Sequence, residues 1–482
     1  MPLLTPIEVE PADSVGPVHF IAIGGSGMSG IAKLYQDLGV RVTGSDKIES
    51  KYTKKLTELG IPTHIGHDAS QLGDAETVVI SSAIREDNPE LFAARQAGLR
   101  VWHRSAALAA LMLGRRAVSI AGTHGKTTTT AMTAVMLEAA GLDPSYVIGG
   151  PLSTTGLSSH LGTGDAFVIE ADESDGTFLQ YPTEIAVITN VEADHLVNWL
   201  TPEAYAEGFH AFATLPQVKH VVINVDDEGS RTLAERLRAE GASVVTYGEA
   251  SDADVRFTDP RVVGRMNVAT LHYGDETGDL VLQVPGNHNL ANASAAYAAG
   301  RLLGLSHQQA LDALARFEGT LRRFQLVSQA AGVRVYDDYA HHPTEIRAAL
   351  SAARRATQAA NDETGLPGRL IAVFQPHLYS RTADFTAEFG DVLTAADVAV
   401  VTDIDGARED PVPGMTGEIV VDAAVAAGAP EVHYVAEKYD LPEWLCDFTH
   451  DGDLVITLGC GDITVVPPIL GKLLEAKEAE HS

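Results

Sequence analysis

One pattern constrains the fold of this chain more than any other, and it occurs twice: an apolar run, a glycine-rich turn, then a helix-forming stretch. Residues 18–23 lead into Gly24-Gly25-Ser26-Gly27 and a helical stretch at 28–38. Residues 117–121 lead into Gly122-Thr123-His124-Gly125 and a helix over 127–140, closed by Gly141 with Pro144 just beyond. A buried strand followed by a helix rejoins its sheet through a crossover, so the pattern predicts parallel sheets covered by helices. Further strand-like runs at 41–43, 77–81 and 99–102 complete a first unit that closes near Leu113. Runs at 166–169, 185–189 and 220–224 continue a second, with antiparallel alternation over 255–284 before an alanine-rich helix at 290–303. The last third restarts with runs at 334–336, 369–374, 398–402 and 454–457.

At 482 residues the chain exceeds one ordinary core. The pattern divides it into three α/β domains: 1–113, 114–314 and 315–482. The polar stretch 357–368 reads as a surface loop and 472–482 as a fraying tail. With 65 acidic against 34 basic residues the net charge is -31, which argues against nucleic acid as a partner, since phosphate backbones need clustered Lys and Arg. Cys446 and Cys460 are the only cysteines, too few for a disulfide framework. The N-terminus shows no basic segment followed by an apolar run, and no stretch of roughly 18 uncharged apolar residues occurs anywhere. The expectation is a cytoplasmic protein without membrane insertion.

Gly25-x-Gly27-x-x-Gly30 follows a strand and opens a helix, and Asp46 stands where an acid meets a ribose. Close backbone approach and a helix N-terminus hold the diphosphate of any nucleotide, so NAD and a UDP-sugar both satisfy this loop.

Gly122-x-x-Gly125-Lys126-Thr127 is a shortened P-loop; the glycine of the longer pattern would fall at position 120, which is Ile120. Its backbone N–H groups and Lys126 suit the β- and γ-phosphates of ATP, and the Thr127 hydroxyl suits Mg2+. A cation is disfavoured at the positive start of a helix unless an anion is supplied, which makes Lys126 informative. Two acidic clusters follow neighbouring strands, Glu170-Ala171-Asp172-Glu173-Ser174-Asp175 and Asn190-Val191-Glu192-Ala193-Asp194-His195. Oxygen ligands with one imidazole suit Mg2+.

With these motifs, the chain resembles the Mur ligase family over roughly residues 18–470. The resemblance is carried by the run His19 to Ala32, by Gly44-Ser45-Asp46, Ser81-Ser82-Ala83-Ile84, the shortened P-loop and Pro285-Gly286-Asn287-His288-Asn289 through Asn292. Arg322-Arg323-Phe324, Asp337 to Pro343 and Gln375-Pro376-His377 complete it. It implies an N-terminal Rossmann-like parallel sheet for a UDP-sugar, a central P-loop ATPase-type α/β domain, and a C-terminal Rossmann-like domain for an amino acid. The implied reaction is ATP-dependent ligation of L-alanine to the lactyl carboxylate of UDP-N-acetylmuramate through an acyl phosphate, by a monomer or homodimer.

Residue by residue, the resemblance implies that Gly25, Ser26, Gly27, Met28, Ser29, Ser45, Asp46 and Ser82 bind the UDP-substrate. It implies that Gly122, Thr123, His124, Gly125, Lys126, Thr127, Thr128, Asn289, Asn292, Arg323 and Asp338 bind ATP. Thr127, Glu170 and His195 are the implied metal ligands, and Tyr339, His341 and Arg381 form the implied amino-acid site. Lys126, Glu170, His195, Arg323 and His341 carry the implied catalysis. The chain departs from the family pattern at Leu378, where Arg is common, at Cys460, where Ala is common, and after His195, where Leu-Val-Asn-Trp lacks the usual acid. Three other readings stand beside this one: a recycling ligase of the same family that adds a tripeptide, an NAD-dependent oxidoreductase, and an inactive nucleotide-sugar sensor.

Overall fold

A computed structural model describes residues 3–193, 196–263, 266–407 and 409–481 of the chain. The first apolar run is strand β1 (Val18–Ile21), followed by β2 (Val42–Asp46), β3 (Thr63–Ile65), β4 (Thr77–Ile80) and β5 (Arg100–His103). They form one parallel sheet in the order β3-β2-β1-β4-β5. Strand order reverses at β1, so the turn after β1 opens at the crevice where such sheets bind ligands.

The second sheet is ten-stranded: β6 (Arg116–Ala121), β7 (Ser145–Val147), β8 (Ser159–His160), β9 (Ala166–Glu170), β10 (Ile185–Ile188), β11 (His220–Asn224), β12 (Val244–Gly248), β13 (Val255–Val263), β14 (Met266–Tyr273) and β15 (Glu276–Leu282). Its order is β15-β14-β13-β12-β11-β10-β6-β9-β7-β8. The antiparallel excursion is present as β13 to β15, and it extends the sheet because β13 pairs in parallel with β12. Strands β6 and β10 are buried along their lengths apart from Arg116, as expected of strands covered on both faces.

The third sheet comprises β16 (Gln325–Ala330), β17 (Val333–Asp338), β18 (Leu370–Phe374), β19 (Val398–Val401), β20 (Val432–Tyr434) and β21 (Leu454–Leu458), ordered β16-β17-β21-β18-β19-β20. Only β16 runs antiparallel to its neighbour.

The chain divides into two compact units: Met1–Gln283 with Asn289–Glu318, holding the first two sheets, and Val284–His288 with Gly319–Ser482, holding the third. In the first, one continuous core runs from Phe20 and Tyr35 through Ala109 to Phe178 and Phe212. In the second, separate apolar clusters pack on the two faces of the sheet.

Two expectations are corrected. The stretch read as a loop at 357–368 is largely the end of a 22-residue helix, Pro343–Thr364, which stops at Gly365 with φ 74°. Its polarity is largely that of a solvated helix face, where Gln358 donates to Asp362 one turn on, while the buried Thr357 donates its hydroxyl to the Ala353 carbonyl. The tail is likewise helical, Val466–His481, anchored by the buried Leu470 and Leu474. Strands β3, β7, β8, β16 and β20 have no apolar run to announce them, and β12, which carries the run Val244-Val245-Thr246-Tyr247, was missed as well.

Candidate active site

The P-loop is shaped by the strand beside it. Gly122 has φ 134°, and a Cβ there would lie 2.0 Å from Thr189 Oγ1, so no side chain fits. The segment after β10 holds the loop: Asn190 Oδ1 accepts from His124 N at 2.8 Å, and Asn190 Nδ2 donates to His124 O at 3.1 Å. Thr189 Oγ1 donates to the same carbonyl. Thr123 Oγ1 donates to the Glu192 carbonyl at 2.7 Å and lies 3.0 Å from the Tyr205 hydroxyl. Asn190, read from sequence as a metal-ligand candidate, is thus engaged in holding the loop. Gly125, at φ 83°, opens the helix Lys126–Ala139, which has no side-chain cap and no acid in its first turn. Its first N–H groups are donors placed for an anion.

Lys126 folds back over the loop, donating to Gly122 O at 2.6 Å, Thr123 O at 3.1 Å and Glu173 Oε1 at 3.0 Å. Burial works against its charge, yet Glu173, Glu170 and Asp172 together hold its pKa above the ordinary lysine value. Glu173 is fully buried, and burial pushes its carboxyl up to about 7 despite the ammonium beside it. Its Oε2 has no hydrogen-bond partner among the described residues. An aromatic cluster sets this acid in place: Trp199 Nε1 donates to the Glu173 carbonyl at 2.9 Å, and Phe178 packs edge-on against Trp199.

Glu170, at the end of β9, accepts from Gly149 N at 2.9 Å. Thr127 is buried, Thr128 half-buried, and His195 lies outside the described residues. Asn289 and Asn292 are buried in the helix Asn287–Leu302 and bonded to each other. A Cβ on Gly125 would lie 2.7 Å from Asn292 Oδ1, which puts this pair directly against the loop.

A cavity of about 200 Å³ joins the first glycine turn to these acids. Its lining includes Ser26, Gly27 and Arg104 together with Gly149, Glu170 and Asp172. Gly25 and Ser26 are exposed, while Met28 and Ser29 turn into the core. Gly30 lets β8 approach, since a Cβ there would meet Ser159 at 3.3 Å. Asp46 Oδ2 accepts from Gly24 N at 2.8 Å, bracing the turn. Ser45 is fully buried, its hydroxyl donating to Glu90 at 2.6 Å in a network with His19 and His67. Exposed Ser82 bonds His103, whose burial lowers its pKa to about 4.

In the second unit, Arg323 sits between two strained residues, Arg322 at φ 60° and Phe324 at φ 49°. The strain is held by bonds: Arg322 Nη2 donates to the Gly459 carbonyl at 2.6 Å, and Phe324 N donates to Asp338 Oδ2 at 2.7 Å. Both guanidinium groups lie over the Tyr339 ring, at 5.0 and 5.1 Å. Asp338 also accepts from Ala340 N, and burial raises its carboxyl to about 6. His341 Nδ1 lies 3.1 Å from the Tyr339 carbonyl and 3.2 Å from Glu345 Oε2. Both are acceptors, so the proton belongs on Nδ1 and the lone pair on Nε2. Leu378, at φ 67°, begins the helix Tyr379–Asp384 that carries Arg381. Burial lifts the Cys460 thiol to about 12, which removes it as a nucleophile at neutral pH.

Three family models match the chain in order: "Mur ligase family, catalytic domain" over 17–116, "Mur ligase middle domain" over 120–300, and "Mur ligase, glutamate ligase domain" over 322–461. The chain belongs to the Mur ligase family. Among curated relatives, this Mur ligase is 61% identical over 478 residues to the UDP-N-acetylmuramate--L-alanine ligase of Cutibacterium acnes, covering 99% of this chain and 100% of the relative. It is 48% identical to the enzyme of the same name from Thermobifida fusca, covering 97% and 98%. Among solved structures, the UDP-N-acetylmuramate-alanine ligase of Thermotoga maritima matches with TM-score 0.80 and 28% identity over 96% of this chain and 99% of that one. A murein peptide ligase from Psychrobacter arcticus matches with TM-score 0.69 and 25% identity, over 95% and 99%.

Reading the sequence of this Mur ligase missed Arg104, and missed Thr189 and Trp199 as supports for the loop and its acid. Arg104 carries the signal that singled out Lys126, a cation at the first position of a helix.

Proposed function

We infer that this Mur ligase joins L-alanine to the lactyl carboxylate of UDP-N-acetylmuramate at the expense of ATP, forming UDP-N-acetylmuramoyl-L-alanine, ADP and phosphate in peptidoglycan precursor synthesis. The observation that carries the reading is the cavity that runs from the first glycine turn to Glu170 and Asp172, beside the Lys126 loop. A nucleotide-sugar held at one end would present its carboxylate at the other.

A carboxylate is a poor electrophile, so it first takes the γ-phosphoryl group of ATP; the amine of alanine then adds to the acyl phosphate, and the tetrahedral intermediate expels phosphate. Lys126 would leave its loop carbonyls and Glu173 to neutralise the transferring group. The oxygen donors of Thr127 and Glu170, with His195 carried over from the family pattern, suit Mg2+, which would screen the phosphate charge. Asn289 and Asn292 would meet adenine, and Arg323 the phosphates. His341, through Nε2, would accept a proton from the attacking amine, with Tyr339 and Arg381 beside the amino acid.

We assign these roles to three domains, 1–113, 114–314 and 315–482, in a cytoplasmic enzyme. Phosphate release requiring ATP, UDP-N-acetylmuramate and L-alanine together tests the reading. Release supported by the tripeptide L-alanyl-γ-D-glutamyl-meso-diaminopimelate and not by L-alanine would transfer the chain to the recycling branch.

A further inference from the structure

We propose that Arg104 clamps the diphosphate of the nucleotide-sugar against the first glycine turn, exchanging its partner Asp172 for that ligand; this rests on reading the cavity as the nucleotide-sugar site.

Arg104 is the only lysine or arginine among the residues lining the cavity. It opens the helix Arg104–Met112, where the positive end of the helix disfavours a cation. The preceding residue cannot share the load, because His103 is held neutral by burial and serves as the cap, accepting from Ser105 N. The one ion-pair partner of Arg104 among the described residues is Asp172, at 3.7 Å, with both side chains about a third or more exposed. That contact is too long for a hydrogen bond, so the guanidinium is held loosely in a place that costs it free energy.

The other side of the guanidinium faces the glycine turn. A Cβ on Gly27 would lie 3.0 Å from Arg104 Nη1, so the missing side chain at Gly27 makes room for the arginine. Helix Ser26–Asp37 begins here with no side-chain cap and no acid in its first turn. A diphosphate between the two would accept from these backbone donors and from the planar fork of Arg104 together. Among the residues lining the cavity, the uncapped turn at Ser26 and Gly27 and the fork of Arg104 are the donors that suit a diphosphate. In the proposed reaction the lactyl carboxylate lies near Lys126, so the group left for Arg104 is the diphosphate.

Calorimetry on the full chain with UDP and with UDP-N-acetylmuramate tests this. A charge-assisted bidentate contact predicts that Arg104→Ala weakens both ligands by the same factor, on the order of 10- to 100-fold, with ADP binding unchanged. Arg104→Lys should recover only part of the loss, because a point charge cannot form the fork. Asp172→Asn should bind UDP as tightly as the wild type or more so, having removed the competing partner. Equal UDP affinity in wild type and Arg104→Ala overturns the proposal. A loss confined to UDP-N-acetylmuramate also overturns it, by moving the arginine to the carboxylate. If Arg104→Ala does not fold, Arg104→Lys decides: wild-type affinity for UDP overturns the fork. A wild-type chain that binds neither ligand would instead overturn the reading of the cavity beneath it.

Discussion

Replacing Asn190 by Asp separates two roles that the residue type alone allows. A metal ligand would tolerate the change, since a carboxylate is the harder and more strongly charged oxygen donor for Mg2+. A loop support would not. Asn190 uses its amide oxygen to accept from His124 N and its amide nitrogen to donate to His124 O. In Asn190→Asp the first bond survives, while the second becomes a carboxylate oxygen facing a carbonyl about 3.1 Å away. The lost bond is worth about 1 kcal/mol, and an unsatisfied, partly buried acceptor adds roughly 1–3. The loop escapes this cost of about 2–4 kcal/mol by detaching, and nucleotide binding must then restore it. The loss should therefore appear in kcat/KM for ATP, as a factor of roughly 30 to 1,000, with little change in melting temperature. Phosphate release measured against ATP and against Mg2+ checks it. A variant within threefold of wild type that saturates at lower Mg2+ would return Asn190 to the metal and refute the argument.

Lys126→Ala should abolish phosphate release and also leave the buried Glu173 without its cation. A carboxyl whose folded pKa lies above its unfolded value contributes stability at low pH and loses it as pH rises through the folded value, here about 7 or above. Thermal melts should therefore show the variant losing more against wild type at pH 8.5 than at pH 6; equal losses would remove Glu173 from the account. Gly149→Ala places a Cβ 2.2 Å from Glu170 Oε2, and should depress activity by displacing that carboxylate while the fold survives; full activity would show that the Glu170 position is immaterial. Asp338, raised by burial from 3.8 to about 6, makes the second unit less stable as pH rises from about 4 to about 6, by an amount on the order of 3 kcal/mol. Asp338→Asn should flatten that slope in denaturant titrations, and an unchanged slope would reassign it.

The two strand-turn-helix starts were legible because burial on both faces of a parallel strand leaves an uninterrupted apolar run, and because glycine marks a backbone no other residue can follow, as at Gly122. Lys126 was legible for a related reason, as a charge placed against the polarity of its helix. The same local rule applies to Arg104, but its significance depends on Gly27 and Asp172, which are distant in sequence and adjacent only in the fold. The polar run at 357–364 misled because a helix with one face in water and a loop have similar composition; packing of Leu350 and Ala353 on the third sheet decided between them. Acidic residues show the limit most clearly. Sequence places Glu170, Asp172, Glu173 and Asp175 in one cluster with identical chemistry, whereas the fold buries Glu173 against Lys126 and sets Glu170 and Asp172 on a cavity wall. Local spacing determines which atoms are available, and tertiary packing alone determines which of them keep their water, because desolvation depends on neighbours that no short stretch of sequence contains.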